Sequence, residues 1–356
     1  MSLPSLFRKE LLWSRHRILT LVLLLLLLPA FFAYTTVIFQ TVVPEDTPIA
    51  IVPETDDVSA DGLDIIEGGA ALFSAPERYE SEERAMRALR REEVYAVLVV
   101  PPGILDESTT DATFTLAIDG GMVPFGDPSI AIRNIMEPRL NQNLPADIRV
   151  ERTVVGAERT LSEFLVPVFM MGMVLLFAFT YFPYNLARES DVLERVLVST
   201  SLDAVIATKI LYHAMLLLVP IGAFAAAANA LGYSVAVLSP SAIAVFLLTF
   251  VYLAAISAAV MVLTDFSALG RFCNVALLFG SITFSSLVYP VGFFSPLRKE
   301  LARSIPLHHS MVASRSLTLK QVDASLFADR FLLLGGFTLA SLLALKLAIE
   351  HYKRTA

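Results

Sequence analysis

Long stretches of this chain carry almost no ionised side chain, and that constrains its fold more than any other feature. Six blocks, at 18–39, 164–182, 210–231, 241–263, 275–294 and 331–349, are nearly all apolar. Each is close to the roughly 20 residues a helix needs to cross a hydrocarbon core about 30 Å thick. Inside hydrocarbon every backbone N–H and C=O must be bonded within the segment, so such blocks fold as helices. The chain as a whole is 56% hydrophobic and 17% charged, where a soluble globular domain carries about 25% charged residues. The predicted fold class is a polytopic α-helical membrane protein: six transmembrane helices, with a small extracytoplasmic α/β domain between the first and the second.

The first block is longer than the 7–15 apolar residues of a signal-peptide core and is followed by Thr41, Val42 and Val43, not a small-residue cleavage site. It reads as a retained anchor, kinked at Pro29. Orientation follows from Lys and Arg in short flanks. Arg8, Lys9, Arg15 and Arg17 precede the first span; Arg188, Arg195, Lys209, Arg271, Lys353 and Arg354 fall on the same side of a six-span chain. Both termini are therefore expected in the cytoplasm, in a plasma-membrane protein. Arg298, Lys299, Arg303, Arg315, Lys320 and Arg330, between the last two spans, oppose this assignment; the first helix usually dominates, so the assignment stands.

Charge divides the chain sharply. Residues 40–163 hold 24 Asp and Glu against 10 Arg and no Lys, and the remainder holds 17 Lys and Arg against 10 Asp and Glu. The acidic segment repels nucleic acid and reads mainly as a solvated surface. Within it, strands are expected at 49–52, 94–100, 112–118 and 148–155, and helices at 81–93 and 127–143, the latter with Pro128 at a first helical position. The predicted organisation is an amphipathic helix at 1–17, a first span at 18–39, an extracytoplasmic acidic α/β domain at 40–163, and a five-helix membrane domain at 164–356. The last includes a cytoplasmic helix at 186–199 and short outer helices at 296–328.

Several chemistries lack their residues. The acidic segment contains neither His nor Cys, and the chain has one cysteine, Cys273. No G-x-x-x-x-G-K-[ST] phosphate loop and no H-E-x-x-H occurs. The pair His308-His309 reads as ordinary polar loop residues, so no metal site and no enzyme activity of the chain's own is expected. Coupled transporters place ionisable groups at mid-membrane. Here the blocks at 164–182, 241–263 and 275–294 have none, His213 lies near one end of its block, and Lys346 near the end of the last. If the protein transports, its energy comes from a partner.

Residues 185–200 read Asn-Leu-Ala-Arg-Glu-Ser-Asp-Val-Leu-Glu-Arg-Val-Leu-Val-Ser-Thr. Leu186, Leu193, Val196 and Leu197 share one helical face, with Arg188, Asp191, Glu194 and Arg195 largely on the rest. The stretch 7–13, with Arg8, Lys9 and Glu10, has the same amphipathic character. On pattern alone either helix presents its charges to a cytosolic partner or merely anchors its neighbours at the membrane interface.

With Lys209 opening the next span, this loop resembles the cytoplasmic loop of ATP-binding-cassette (ABC) type-2 exporter permeases. The basic N-terminal helix, the runs 94–103 and 116–120 of the acidic segment, and the outer sequences 290–296 and 304–309 are similar to that family in the same order, within its branch bearing a large extracellular domain. The resemblance implies a permease subunit that moves a substrate out of the cytoplasm. It implies pairing with a second permease, identical or not, and with a dimer of cytosolic ABC ATPase subunits that holds the ATP and Mg; this chain has no cofactor. It further implies that the 186–199 helix couples to the ATPase through Arg188, Glu189, Asp191, Glu194 and Arg195, with Arg8, Lys9 and Glu10 flanking it. Leu297, Leu301 and Ile305 would line an outer gate. The rival reading is a membrane-bound receptor or scaffold whose acidic domain binds a ligand or partner; its longest cytosolic segment leaves little room for a signalling domain.

Overall fold

The computed structural model describes residues 47–355 apart from 56, 73, 107, 108, 199 and 288. The expected first span and N-terminal helix, with Arg8, Lys9 and Glu10, lie outside the described residues.

The α/β domain is a five-stranded sheet, β1 (Pro48–Pro53), β2 (Ala75–Arg78), β3 (Ala96–Val100), β4 (Asp111–Asp119) and β5 (Asp147–Val155), in the spatial order β2-β1-β3-β4-β5. β3 and β4 pair antiparallel and the other neighbours pair parallel. β1 and β3 are the central strands, and their uninterrupted apolar runs reflect burial on both faces. Successive side chains point to opposite faces of a strand. Ile49, Ile51 and Leu98 therefore join the core with α1 (Ala60–Ala70) and α3 (Gly126–Asn143), while Ala50, Val52, Val97 and Val99 pack with Ala85, Ala88 and Leu89 of α2 (Glu82–Arg90). Side-chain oxygens at the N-termini, Ser59 accepting from Gly62 N–H and Ser81 from Arg84 N–H, start α1 and α2.

Two elements here were not legible beforehand. α1 is poor in helix formers and carries Gly62, Gly68 and Gly69, yet Leu63, Ile66 and Ala70 put one face into the core. β2 contains Pro76 and two charges, which an edge strand tolerates.

The membrane domain begins at α4 (Leu161–Leu176), closed at its start by a reciprocal cap between Thr160 and Glu163. A π-helical turn, Phe177–Tyr181, joins α4 without a break to α5 (Phe182–Leu197). Then follow α6 (Leu202–Leu216), α7 (Leu218–Ala230), α8 (Pro240–Leu263), α9 (Ala268–Phe284), the short α10 (Pro296–Ser304) and α11 (Pro306–Arg315), and α12 (Ala328–Thr355). Among the described residues four helical stretches are long and apolar enough to cross a membrane: Leu161–Arg188, Leu202–Ala230, Pro240–Leu263 and Ala324–Thr355; α9 is apolar but shorter. α8 is the hub. Its Ala254, Ala255 and Ala258 are buried, and it packs extensively against α12.

Two expectations need correction. The helix at the span expected at 275–294 begins seven residues earlier, at Ala268, and ends at Phe284; Ser286 then takes a left-handed conformation (φ 52°). The helix expected as a separate element at 186–199 is the continuation of a membrane span, running to Leu197.

Candidate functional site

Two places concentrate polar chemistry, one at each end of the bundle. At the end away from the α/β domain, α5 ends at Leu197, and Ser201 caps α6 by accepting from Ala204 N–H. Arg188 is exposed with its guanidinium over the Tyr184 ring at 5.3 Å, and Arg195 is exposed. Glu189, Asp191 and Glu194 lie on the same helical segment. Asp203 at the start of α6 accepts from Lys346 at 2.6 Å and from Lys353 at 2.7 Å, so the end of α12 meets this region. Lys346 is thus held in an ion pair, not reaching alone for water.

At the other end the α/β domain sits on the segment between α9 and α12. Arg315 is the last residue of α11 and is completely buried. It donates to both carboxylate oxygens of Glu92, Nε at 3.1 Å and Nη2 at 2.7 Å. Glu92 itself stands just after α2 with φ 59°, a left-handed conformation that costs a non-glycine residue about 1–2 kcal/mol and persists only when its surroundings impose it. Lys320 lies between two carboxylates, 2.8 Å from Asp119 and 3.4 Å from Glu92. Around this neutral four-charge core, Arg91 binds Asp329 through two N–H groups at 3.0 and 2.6 Å and the Leu326 carbonyl at 2.7 Å. Arg330 reaches Glu93 at 3.3 Å, and Arg159 donates to the Leu319 carbonyl at 3.0 Å.

Tyr95 completes the junction. Its hydroxyl accepts from Gly292 N–H at 3.1 Å, and its ring packs against both Phe125 and Phe293, which also touch each other. A Cβ at position 292 would lie 2.3 Å from that ring, so the close approach demands glycine. Burial pushes the Tyr95 phenol far up, keeping it a neutral acceptor and donor.

These contacts correct two readings. The acidic segment is not only a solvated surface, because Glu92 and Asp119 are buried. Of the six basic residues that opposed the flank rule, Arg315, Lys320 and Arg330 are paired with the domain's carboxylates, and Arg298 donates to the Thr283 carbonyl at 2.6 Å and stacks over Phe294. The signal was present as an excess of opposite charge in two distant segments. What sequence could not supply was which acid met which base.

His308 and His309 are not loop residues either; both are on α11 and lie against the junction. His308 is buried, 2.8 Å from the Ser286 hydroxyl, and His309 accepts from Arg330. Burial, then the Arg330 cation, lowers His309 to about 4; burial and the neighbouring His309 and Arg330 hold His308 well below its ordinary value. Asp329 and the Arg303 backbone act the other way on His309, and Arg91 with the lowering groups. Both rings are neutral in the fold and take up a proton on unfolding at lower pH. The His309 contribution is present above about 6.5 and is lost as pH falls towards 4, and His308 acts in the same direction. The thermal midpoint of the parent should therefore fall more steeply across that window than that of a His308→Asn/His309→Gln variant; parallel slopes would show that the histidines are not responsible.

Of the residues assigned to an outer gate, Leu297 and Leu301 are exposed on α10. Ile305 is half-buried and extended (φ −90°, ψ 129°), because Pro306 disfavours a helical conformation at the residue before it. The three do not form one helical stripe.

A family model described as ABC-2 family transporter protein matches residues 16–346. No curated protein and no solved structure matches the chain significantly.

Proposed function

We propose, from the premise that this chain belongs to the ABC-2 family of transporter proteins, that it is the membrane permease of an ATP-driven exporter whose ATPase is a separate cytosolic subunit. The family model spans both the α/β domain and the membrane helices, and that single observation carries the reading. The distribution of charge supports it. Within the described spans, Lys346 is tied to Asp203 and Glu350 at one end, and Glu163 to the Thr160 and Ser234 backbone at the other. Neither arrangement provides a mid-span carboxylate of the kind an ion-coupled carrier loads and unloads.

In this reading ATP binding closes the ATPase dimer and pushes the end of α5, a second permease copy completes the path, and the α/β domain faces away from the cytoplasm. The 1–17 segment, with Arg8, Lys9 and Glu10, flanks the ATPase contact. Leu297 and Leu301 stand where an outer gate or the second copy would meet them.

Affinity purification of the full chain from its native membrane is the direct test. A cytosolic ATPase should accompany it, and reconstituting the two in vesicles should raise ATP hydrolysis several-fold over the ATPase alone. Isolation of the chain with no ATPase, or hydrolysis indifferent to its presence, would defeat the exporter assignment.

A further inference from the structure

The segment 40–163 has fewer than half as many arginines as carboxylates, yet α2 and the residue after it carry Arg84, Arg87, Arg90 and Arg91. Two of these are engaged: Arg84 with Glu80, and Arg91 with Asp329. Arg87 has only a long contact to Glu83 at 3.6 Å, both side chains being exposed, and the Arg90 guanidinium has no ion pair among the described residues. These two line a cleft of about 650 Å³ between the α/β domain and the membrane domain. Its other walls are Asp119 and Gly121 at the end of β4, residues 155–159 leading to α4, and residues 319–326 leading to α12.

The remaining cations of the cleft are neutralised, which leaves Arg87 and Arg90 as its available donors. Lys320 and Arg159 line it with side chains only 5% and 8% exposed, each already paired with carboxylates. Its one exposed acid, Asp323, has its carboxylate turned to the Ser325 N–H at 2.8 Å. Arginine's planar fork of N–H donors fits a phosphate's oxygens two at a time, and Arg87 and Arg90 are three residues apart on one helix, so they are neighbours on its surface.

Depth points to the source of such a group. Arg159 lies two residues before a membrane-spanning stretch that begins at Leu161, and Asp323 one residue before another that begins at Ala324. The headgroup layers extend a bilayer from about 30 Å to about 40–45 Å. A cleft at the mouths of two spans is thus level with the phosphates of one leaflet, where arginine N–H forks can meet headgroup phosphates.

We propose that this cleft binds a phosphate group through Arg87 and Arg90, and that the bound molecule bridges the α/β domain and the membrane helices. The inference goes beyond transport and does not depend on it.

The test uses the purified full chain in detergent, in two arms. In the first, phosphatidylglycerol is added and its retention read by native mass spectrometry. In the second, inorganic phosphate is added without lipid and the thermal midpoint is read. The parent should retain phosphatidylglycerol at least fivefold more than Arg87→Gln/Arg90→Gln, with Arg87→Lys/Arg90→Lys between them and Arg149→Gln, on the exposed face of β5, like the parent. Retention without a response to inorganic phosphate identifies a lipid headgroup. A response to inorganic phosphate that the Gln pair loses identifies free phosphate as a sufficient ligand. If parent and Gln pair are indistinguishable in both arms, while the Lys pair folds normally, the site does not exist.

Discussion

Replacing Arg315 by methionine should cost about 3–5 kcal/mol, the penalty for removing one partner of a buried ion pair. The reason is the position of what remains. Glu92 has a side chain only 1% exposed, held by two N–H groups of Arg315. Without them its charge keeps only Lys320 at 3.4 Å, and Lys320 is shared with Asp119. Against a total stability of about 5–15 kcal/mol for a typical domain, that loss should release the α/β domain from the segment between α9 and α12. Thermal unfolding of the purified protein, with limited proteolysis of the junction, would measure it. The paired change Glu92→Leu/Arg315→Met removes both charges and supplies apolar volume, and such replacements are often neutral or stabilising. The double variant should therefore recover to within about 1 kcal/mol of the parent, less any strain at the left-handed position of residue 92. A single variant as stable as the parent would show that the pair does not hold the domains together. A double variant as weak as the single would assign the effect to packing.

The membrane helices were largely legible because their signal is length and the lack of charge, both local. The block at 164–182 is part of a helical stretch reaching Arg188, and the blocks at 210–231 and 241–263 fall within 202–230 and 240–263 with little error. The displaced ninth helix shows the limit of that signal. Hydropathy continues past Phe284, but Ser286 and Pro290 end the helix through backbone conformation, which hydropathy does not register. The same helix also extends outward over charge at its start: α9 contains Arg271, which as a flank residue had marked a boundary.

The junction was hidden for a different reason. Its members are separated by more than 200 residues, Glu92 from Arg315 and Arg91 from Asp329. In isolation Arg91-Glu92-Glu93 has the composition of an exposed turn. The charge excess of the outer segment was visible as a violation of the flank rule, and a buried counter-charge explains how those cations are accommodated. The residues proposed to couple to the ATPase pose the converse case. Their amphipathic pattern was read from sequence, and the structure adds the mechanical continuity between that segment and a span.

Reversing Glu194 and Arg195 together, Glu194→Arg/Arg195→Glu, should reduce transport at least tenfold while membrane insertion and ATPase expression are unchanged. The expectation rests on how force would pass. α4, the π turn and α5 form one unbroken helical path from the capped start at Thr160 to Leu197, and in α4 Met170, Met171, Val174 and Leu175 are fully buried in the bundle. Displacement at the α5 end is therefore delivered directly to the packed core, without a hinge loop to absorb it. Its irregularities are Pro167 inside α4 and the π turn, both of them features at which a helix can kink. An interface that recognises this end by charge would meet like charges after the reversal, at a cost of several kcal/mol; about 1.4 kcal/mol already corresponds to tenfold. Substrate efflux from vesicles and ATP hydrolysis by the reconstituted pair would fall together, and a compensating reversal on the ATPase groove should restore both. Full transport by the reversed chain would remove these residues from the coupling contact, leaving α5 as an interfacial anchor.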